Sequence, residues 1–163
     1  MSTYGKSIYL SVSNYDSVNY FPDNKPANFR VKLSKRLELG ESWKIALCEI
    51  RLGNVVSTPA TNDDNGVDKN KKDDDVNDGV NDLIYIHCNV CIGLVVDGIQ
   101  TRVLRTLPFK NNQYKIFPVL YYIPVETRYI DTIEFHISTS ENKSVSFNPR
   151  TGQVMMTLHL KKC

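Results

Sequence analysis

Hydrophobic residues recur at every second position along most of this chain, and that period is the strongest constraint on its fold. Ile8, Leu10 and Val12 alternate with Tyr9, Ser11 and Ser13, and Phe29, Val31 and Leu33 alternate with Arg30, Lys32 and Ser34. Trp43, Ile45 and Leu47 oppose Lys44, Ala46 and Cys48 on the way to Ile50. The same rhythm returns over 84–90, 133–137 and 154–160. Successive side chains of a strand point to opposite faces, so each run suits a half-buried strand. Less regular extended stretches at 101–108 and 118–125 bring the total to about eight strands. A helical period is sustained nowhere, and helical turns are confined to 14–27 or 53–58. Short strands punctuated by turn residues predict an all-β antiparallel sandwich or barrel. Asp97-Gly98 marks one turn, and Asn148-Pro149-Arg150-Thr151-Gly152 is expected to join the last two extended runs as a tight hairpin.

At 163 residues the chain matches one compact domain, which can bury enough surface to fold without a disulfide or a metal. Its formal net charge of +2 hides two unlike parts. Residues 61–82 hold eight Asp and three Lys, a net of −5, which leaves the remainder at +7. That stretch has no aromatic residue and only three valines. It cannot bury enough apolar surface to offset its ordering entropy, so it is expected to be a solvated, mobile loop between two strands. The overall balance carries no strong electrostatic footprint for nucleic acid, and the Lys32, Lys35, Arg36 cluster reads as the wet face of a strand. The N-terminal residues have no apolar core of the kind a secretory signal needs. No apolar run approaches the roughly 20 residues of a membrane-spanning helix. Cys48, Cys88, Cys91 and Cys163 are irregularly spaced and read as reduced thiols.

Catalytic and metal motifs fail on spacing. Gly5-Lys6-Ser7 lacks the glycine-rich turn of a phosphate-binding loop and leads into a strand. Cys88 and Cys91 form a lone pair, and positions three apart on a strand face opposite ways. His87, His136 and His159 fall on the more polar faces of three strands, where each reads as a half-exposed sheet residue. A calcium loop needs oxygen ligands around a central glycine. Placing Gly66 at that glycine puts Thr61 and Lys72 at the end positions, and placing Gly79 there puts Val76 and Tyr85 at ligand positions. The remaining candidates for loose cation binding are Asp63, Asp64, Asp73, Asp74, Asp75 and Asp78. The chain is therefore expected to be no enzyme and to need no cofactor.

Several stretches together carry a family resemblance. They include Ile84-Tyr-Ile-His-Cys-Asn-Val90, Val103-Leu-Arg-Thr-Leu-Pro-Phe109, Tyr122-Ile-Pro-Val125 and Ile130-Asp-Thr-Ile-Glu-Phe-His-Ile137. Val145-Ser-Phe147 and Gly152-Gln-Val-Met-Met-Thr-Leu-His-Leu-Lys161 follow, with Phe29-Arg-Val-Lys-Leu33 and Trp43-Lys-Ile-Ala-Leu-Cys-Glu-Ile50 in the first half. This pattern resembles the penton, or minor capsid, proteins of Polinton (Maverick) elements and adintovirus-like double-stranded DNA viruses. The apolar stretch 90–96 and the Asp/Asn-rich insert depart from it.

The resemblance implies one jelly-roll domain over 1–163, with eight antiparallel strands, B to I, in two four-stranded sheets. The strands would fall near 7–13, 28–34, 43–51, 83–90, 101–108, 118–125, 130–138 and 153–161, with the insert 61–82 between D and E. It also implies a virion capsid protein, assembled in the host cell without a signal peptide. Five copies would ring each icosahedral vertex, and their other partner would be a double-jelly-roll major capsid protein. Aromatics off the core-facing positions are the interface candidates: Tyr4, Tyr9, Tyr20, Phe21, Tyr85 and Tyr121. The alternative is a non-catalytic β-sandwich module that binds carbohydrate or a protein ligand.

Overall fold

The computed structural model describes residues 7–56, 83–96 and 98–163. Eleven strands form among them: β1 (Ser7–Ser13), β2 (Asn28–Glu38), β3 (Trp43–Leu52), β4 (Leu83–Cys88), β5 (Leu94–Val96), β6 (Ile99–Thr101), β7 (Val103–Pro108), β8 (Tyr114–Ile116), β9 (Ile123–Pro124), β10 (Tyr129–Thr139) and β11 (Val154–Lys162). No helix forms among the described residues, so none there is long and apolar enough to cross a membrane.

One sheet has the order β1-β11-β3, with β8 and β9 both paired to β3; the other has the order β2-β10-β4-β7. All of these pairings are antiparallel. Strands that follow one another along the chain mostly sit in opposite sheets, which is the winding of a jelly roll. Seven of the eight expected strands are present, and the structure departs from the expectation in two places. First, of the expected strand at 118–125 only Ile123–Pro124 (β9) is extended, while β8 lies before that range, and the two pair with different parts of β3. Between them Phe117 N–H still donates to the Cys48 carbonyl at 2.9 Å, but Pro118 has no N–H to continue the ladder. Second, β5 and β6 pair with each other as a separate two-stranded hairpin, with Gly98 at a positive φ before β6; Asp97 of the expected turn lies outside the described residues.

Both sheets turn their apolar faces to a shared core. Phe29 and Phe135 lie opposite each other in register, with ring centroids 5.2 Å apart. Around them pack Ile45, Leu47, Ile50, Ile84, Ile86, Ile133 and Leu158, all essentially without solvent contact. Each side chain of this kind contributes roughly 1.5–3 kcal/mol relative to leaving it exposed. In β3 strict alternation would turn Ile50 and Leu52 outward after Leu47. The register against β11 slips by one at Cys48, because Leu158 pairs with Leu47 and Thr157 with Glu49. This bulge returns Ile50 and Leu52 to the core.

The connections gather at two ends. At one end the turns after β1 and β3 meet the β10–β11 connection. Asn14 brackets Val154, its Oδ1 accepting from the Val154 N–H at 2.8 Å and its own N–H donating to the Val154 carbonyl at 3.2 Å. Ser17 Oγ accepts from Lys32 N–H at 2.8 Å, and Asn111 Oδ1 accepts from Val55 N–H at 2.9 Å. Gly53 is needed here, since a Cβ on it would stand 2.3 Å from the Thr151 carbonyl oxygen. At the other end Leu39 N–H donates to the Arg128 carbonyl and Glu126 N–H to that of Val90, with Arg102–Glu126 and Arg128–Glu41 ion pairs beside them. The residues flanking the acidic stretch, Val56 and Leu83, belong to the first end. The stretch itself, 61–82, lies outside the described residues.

The 148–152 segment does turn, with Gly152 N–H donating to the Asn148 carbonyl at 2.7 Å. It does not make a hairpin of the last two strands, however, because β10 and β11 belong to different sheets. Local turn chemistry cannot tell a return within one sheet from a crossing between two.

Asn14 is buried, and the amide it satisfies opens β11. Asn14→Ala should lower stability by roughly 1–3 kcal/mol, because it strands a buried N–H without an acceptor. Asn14→Asp should recover part of that loss, and urea midpoints of the three chains check both.

Candidate assembly surfaces

Each sheet has a second face that points away from the core, and the polar and titratable groups collect there. On the first sheet Tyr9 and His159 are register partners, their rings stacked 4.2 Å apart with 5° between planes. The partner of His159 on β3 is Ala46. Its small side chain leaves room for Tyr122, whose hydroxyl lies 2.7 Å from His159 Nδ1. Lys161 Nζ stands 3.8 Å over the Tyr122 ring. The sequence reading of His159 as half-exposed is corrected: two tyrosines cover it, leaving it 8% exposed, and its Nε2 has no hydrogen-bond partner. Burial, and secondly the charge of Lys161, hold its pKa below the ordinary histidine value. The ring is therefore neutral near pH 7. The Tyr122 hydroxyl is pushed up by burial and stays protonated.

Farther along this face lies a groove of about 530 Å³, walled by Ser11, Glu49, Arg51, Gln113, Tyr114 and Met155. Tyr114 and Ile116 of β8 pair with Arg51 and Glu49, and both are about 60% exposed at their rim.

On the second sheet His87 and His136 are register partners, with ring centroids 5.6 Å apart. His87 Nε2 lies 2.9 Å from Ser138 Oγ and its Nδ1 lies 3.1 Å from Thr101 Oγ1. Burial, then the neighbouring His136, lowers the His87 pKa. Thr101 ends β6, so this contact seats the β5–β6 hairpin on the outward face of the second sheet. A groove of about 300 Å³ remains between them, lined by Tyr85, Ile99, Gln100, Ser138 and Asn142 among others. The hairpin itself is apolar and uncovered: Val95 is 73% and Ile99 70% exposed. His159 sits on the opposite sheet, so the three histidines do not converge. Among the described residues no three His, Cys, Asp or Glu side chains form a metal-holding cluster.

The expected interface aromatics fall in separate places. Tyr9 stands on the outward face of the first sheet, and Tyr85 on that of the second. Tyr20 and Phe21 are neighbours in the β1–β2 connection, with centroids 6.5 Å apart and Arg30 stacked 4.4 Å from the Phe21 ring. Tyr121 lies between β8 and β9, under Arg105 at 4.2 Å. Tyr4 and the six aspartates Asp63, Asp64, Asp73, Asp74, Asp75 and Asp78 lie outside the described residues. Sequence reasoning passed over Tyr114, Ile116, Val95 and Ile99. The alternation of Tyr114, Lys115 and Ile116 is too short to register as a strand. The surplus of apolar residues at 90–96 was the trace of the hairpin.

Cys88 and Cys91 depart from the strand geometry expected of them. The chain turns after Cys88, with Cys91 N–H donating to the Cys88 carbonyl at 3.2 Å. Both side chains therefore point inward and are fully buried. A hydrogen bond to Cys88, reinforced by burial, drives the Cys91 pKa far upward. Burial also raises Cys48. These are packed thiols rather than nucleophiles.

No protein-family model matches the sequence, and no curated protein matches it. Among solved structures the fold is similar to that of the mavirus penton protein. The TM-score is 0.57 at 9% sequence identity, over 96% of this chain and 100% of that one. At that identity the likeness is one of fold.

The thiols and histidines give two checks. A thiol reagent such as Ellman's should modify the exposed Cys163 first and half-buried Cys48 slowly, and should reach Cys88 and Cys91 only on unfolding. For the histidines, a folded-state pKa below the unfolded value means that the unfolded chain binds more protons in acid. The stability that this contributes is full above the ordinary value of about 6.5 and is lost as the pH falls towards the depressed folded values. The urea midpoint should therefore fall between about pH 7.5 and about pH 5.5, and by less in a His87→Gln/His159→Gln chain.

Proposed function

We propose that this chain is a structural capsid protein, five copies of which close into a ring at a vertex of an icosahedral shell. The observation that carries the reading is the end-to-end agreement of its jelly-roll winding with a protein described as a penton. The residue-level resemblance to Polinton and adintovirus pentons points the same way. The chain acts as a single jelly-roll domain whose work is mechanical. A rigid sandwich holds two large faces at a fixed distance, and its loops meet the neighbouring shell protein, a double jelly roll.

Surface chemistry supports assembly through side chains rather than through strand edges. Exposed edges invite uncontrolled pairing and are usually blunted. The Asn24 side chain takes the place of a neighbouring strand beside β2, donating to the Arg30 carbonyl at 2.8 Å and accepting from its N–H at 2.9 Å. Prolines interrupt the edge at β8 and β9. Large apolar and aromatic side chains meanwhile stand in solvent: Tyr9, Tyr20, Tyr114, Ile116, Tyr121 and Tyr129 are each more than half exposed. Interface cores enrich such residues. Val56 and Leu83, the described residues on either side of the acidic stretch, sit at the same end of the sandwich, and in this reading that end faces outward on the ring.

Size-exclusion chromatography with light scattering tests the reading. A mass five times that of the 18.6 kDa chain, with fivefold images by negative-stain microscopy, is expected. A monomer that persists at high concentration overturns it.

A further inference from the structure

The β5–β6 hairpin is fastened to the sandwich at its root and through one of its side chains. It pairs only with itself and belongs to neither main sheet. At the root, Ile92 N–H donates to the Pro124 carbonyl at 3.0 Å and Cys88 N–H to that of Arg102 at 2.9 Å. The bond between Thr101 Oγ1 and His87 Nδ1, at 3.1 Å, then ties β6 to the face of the second sheet. Apolar burial adds little, because Leu94, Val95 and Ile99 stand exposed and a groove of about 300 Å³ separates hairpin from sheet. A lone two-stranded hairpin is marginal in water, so its place depends on what lies beneath it.

His87 lies beneath it, at a position where positive charge is costly. Its Nε2 is 2.9 Å from Ser138 Oγ, so both ring nitrogens meet hydroxyls. A neutral ring is matched there, since one nitrogen donates, the other accepts and a hydroxyl can do either. Both hydroxyls can also accept from a protonated ring, so acid breaks neither bond directly. The cost is electrostatic. The charge would be half-buried, and His136, the register partner of His87 on β10, has its ring centroid 5.6 Å away. Tyr85, Arg102 and Glu134 are the other titratable or charged groups on the two grooves that flank His87. Arg102 is a second cation, paired with Glu126. Glu134 is exposed, so water screens its carboxylate. Arg105 of β7 is turned to the Phe117 and Tyr121 rings. Burial, then His136, hold the His87 pKa below the ordinary value, in the sense this geometry requires.

We propose that His87 is the catch of a pH-sensitive flap: the β5–β6 hairpin lies on the second sheet while His87 is neutral and lifts from it in acid. Lifting opens the ring to water, which carries the charge at little cost, so the lifted state takes up the proton more readily than the seated one. Seating is fully favoured above the ordinary histidine value of about 6.5 and weakens as the pH falls below it. Lifted, the hairpin carries Leu94, Val95 and Ile99 away from the sheet as a free apolar segment. Every contact in the device lies within one chain, so it does not rest on the vertex reading.

Hydrogen exchange on the full chain tests it, because a lifted hairpin frays and its amides lose protection. Between pH 7.5 and pH 5.5, after correction for intrinsic exchange, protection of β5 and β6 should fall severalfold. The ceiling is about tenfold, the most that one proton supplies over that range. Protection of β10 and β11 should hold. In His87→Gln, whose amide can bond to the same hydroxyls but does not titrate, β5 and β6 should change by less than about twofold. An NMR titration of the wild-type imidazoles gives a second reading, which also decides the case of a His87→Gln chain that never seats its hairpin. His87 should titrate below its ordinary value, and the Val95 and Ile99 methyl signals should move with the same midpoint. Wild-type protection that does not fall, a fall that survives in His87→Gln, or methyl signals indifferent to the His87 midpoint overturns the proposal.

Discussion

The extra residue at Cys48 keeps Leu47 and Ile50 on one side of the first sheet, and much of the molecule depends on that constraint. β3 is the strand that β11, β8 and β9 all pair with. Without the bulge its second half would present Glu49 and Arg51 to the core and throw Ile50 and Leu52 into water. Burying two unpaired charges costs far more than the lost apolar contacts. The bulge also sets the outer face, since it aims Glu49 and Arg51 into the groove and leaves Ala46 beside His159.

A second set of constraints is polar and local. Asn14, Ser17, Asn24 and Asn148 are short side chains in loops, and each takes a main-chain partner that no strand supplies. Such bonds are modest when made and expensive when left unmade. They fix where the chain leaves one sheet and enters the other, and therefore which loops share an end.

The outer faces show how a sandwich of this kind divides its labour. The core-facing half of each strand is apolar and supplies stability. The other half carries the three histidines, exposed tyrosines and an uncovered hairpin, which give each sheet its surface character. The Cys48 and Cys91 thiols, whose pKa values burial helps to raise, make poor nucleophiles near pH 7.

The alternation of residues such as Phe29, Val31, Ile45, Ile133 and Leu158 was sufficient to place the long strands within a few residues, because a period of two is a local property written into neighbouring positions. The split of the expected 118–125 strand was partly visible in Pro118 and Pro124. The partners of the surface residues were not legible. Tyr9 and His159 are far apart along the chain and meet only because β1 pairs with β11. Tyr122 reaches them only because Ala46 is small. Cys88 and Cys91 face the same way only because the chain turns between them, and 148–152 crosses between sheets where its own residues read as a hairpin. The sequence by itself determined which face of each strand is apolar, since that follows from side-chain chemistry at adjacent positions. Which strands lie side by side, and so which outward groups form a hollow and which a projection, was decided by the tertiary structure, because pairing joins residues whose separation along the chain carries no local signal.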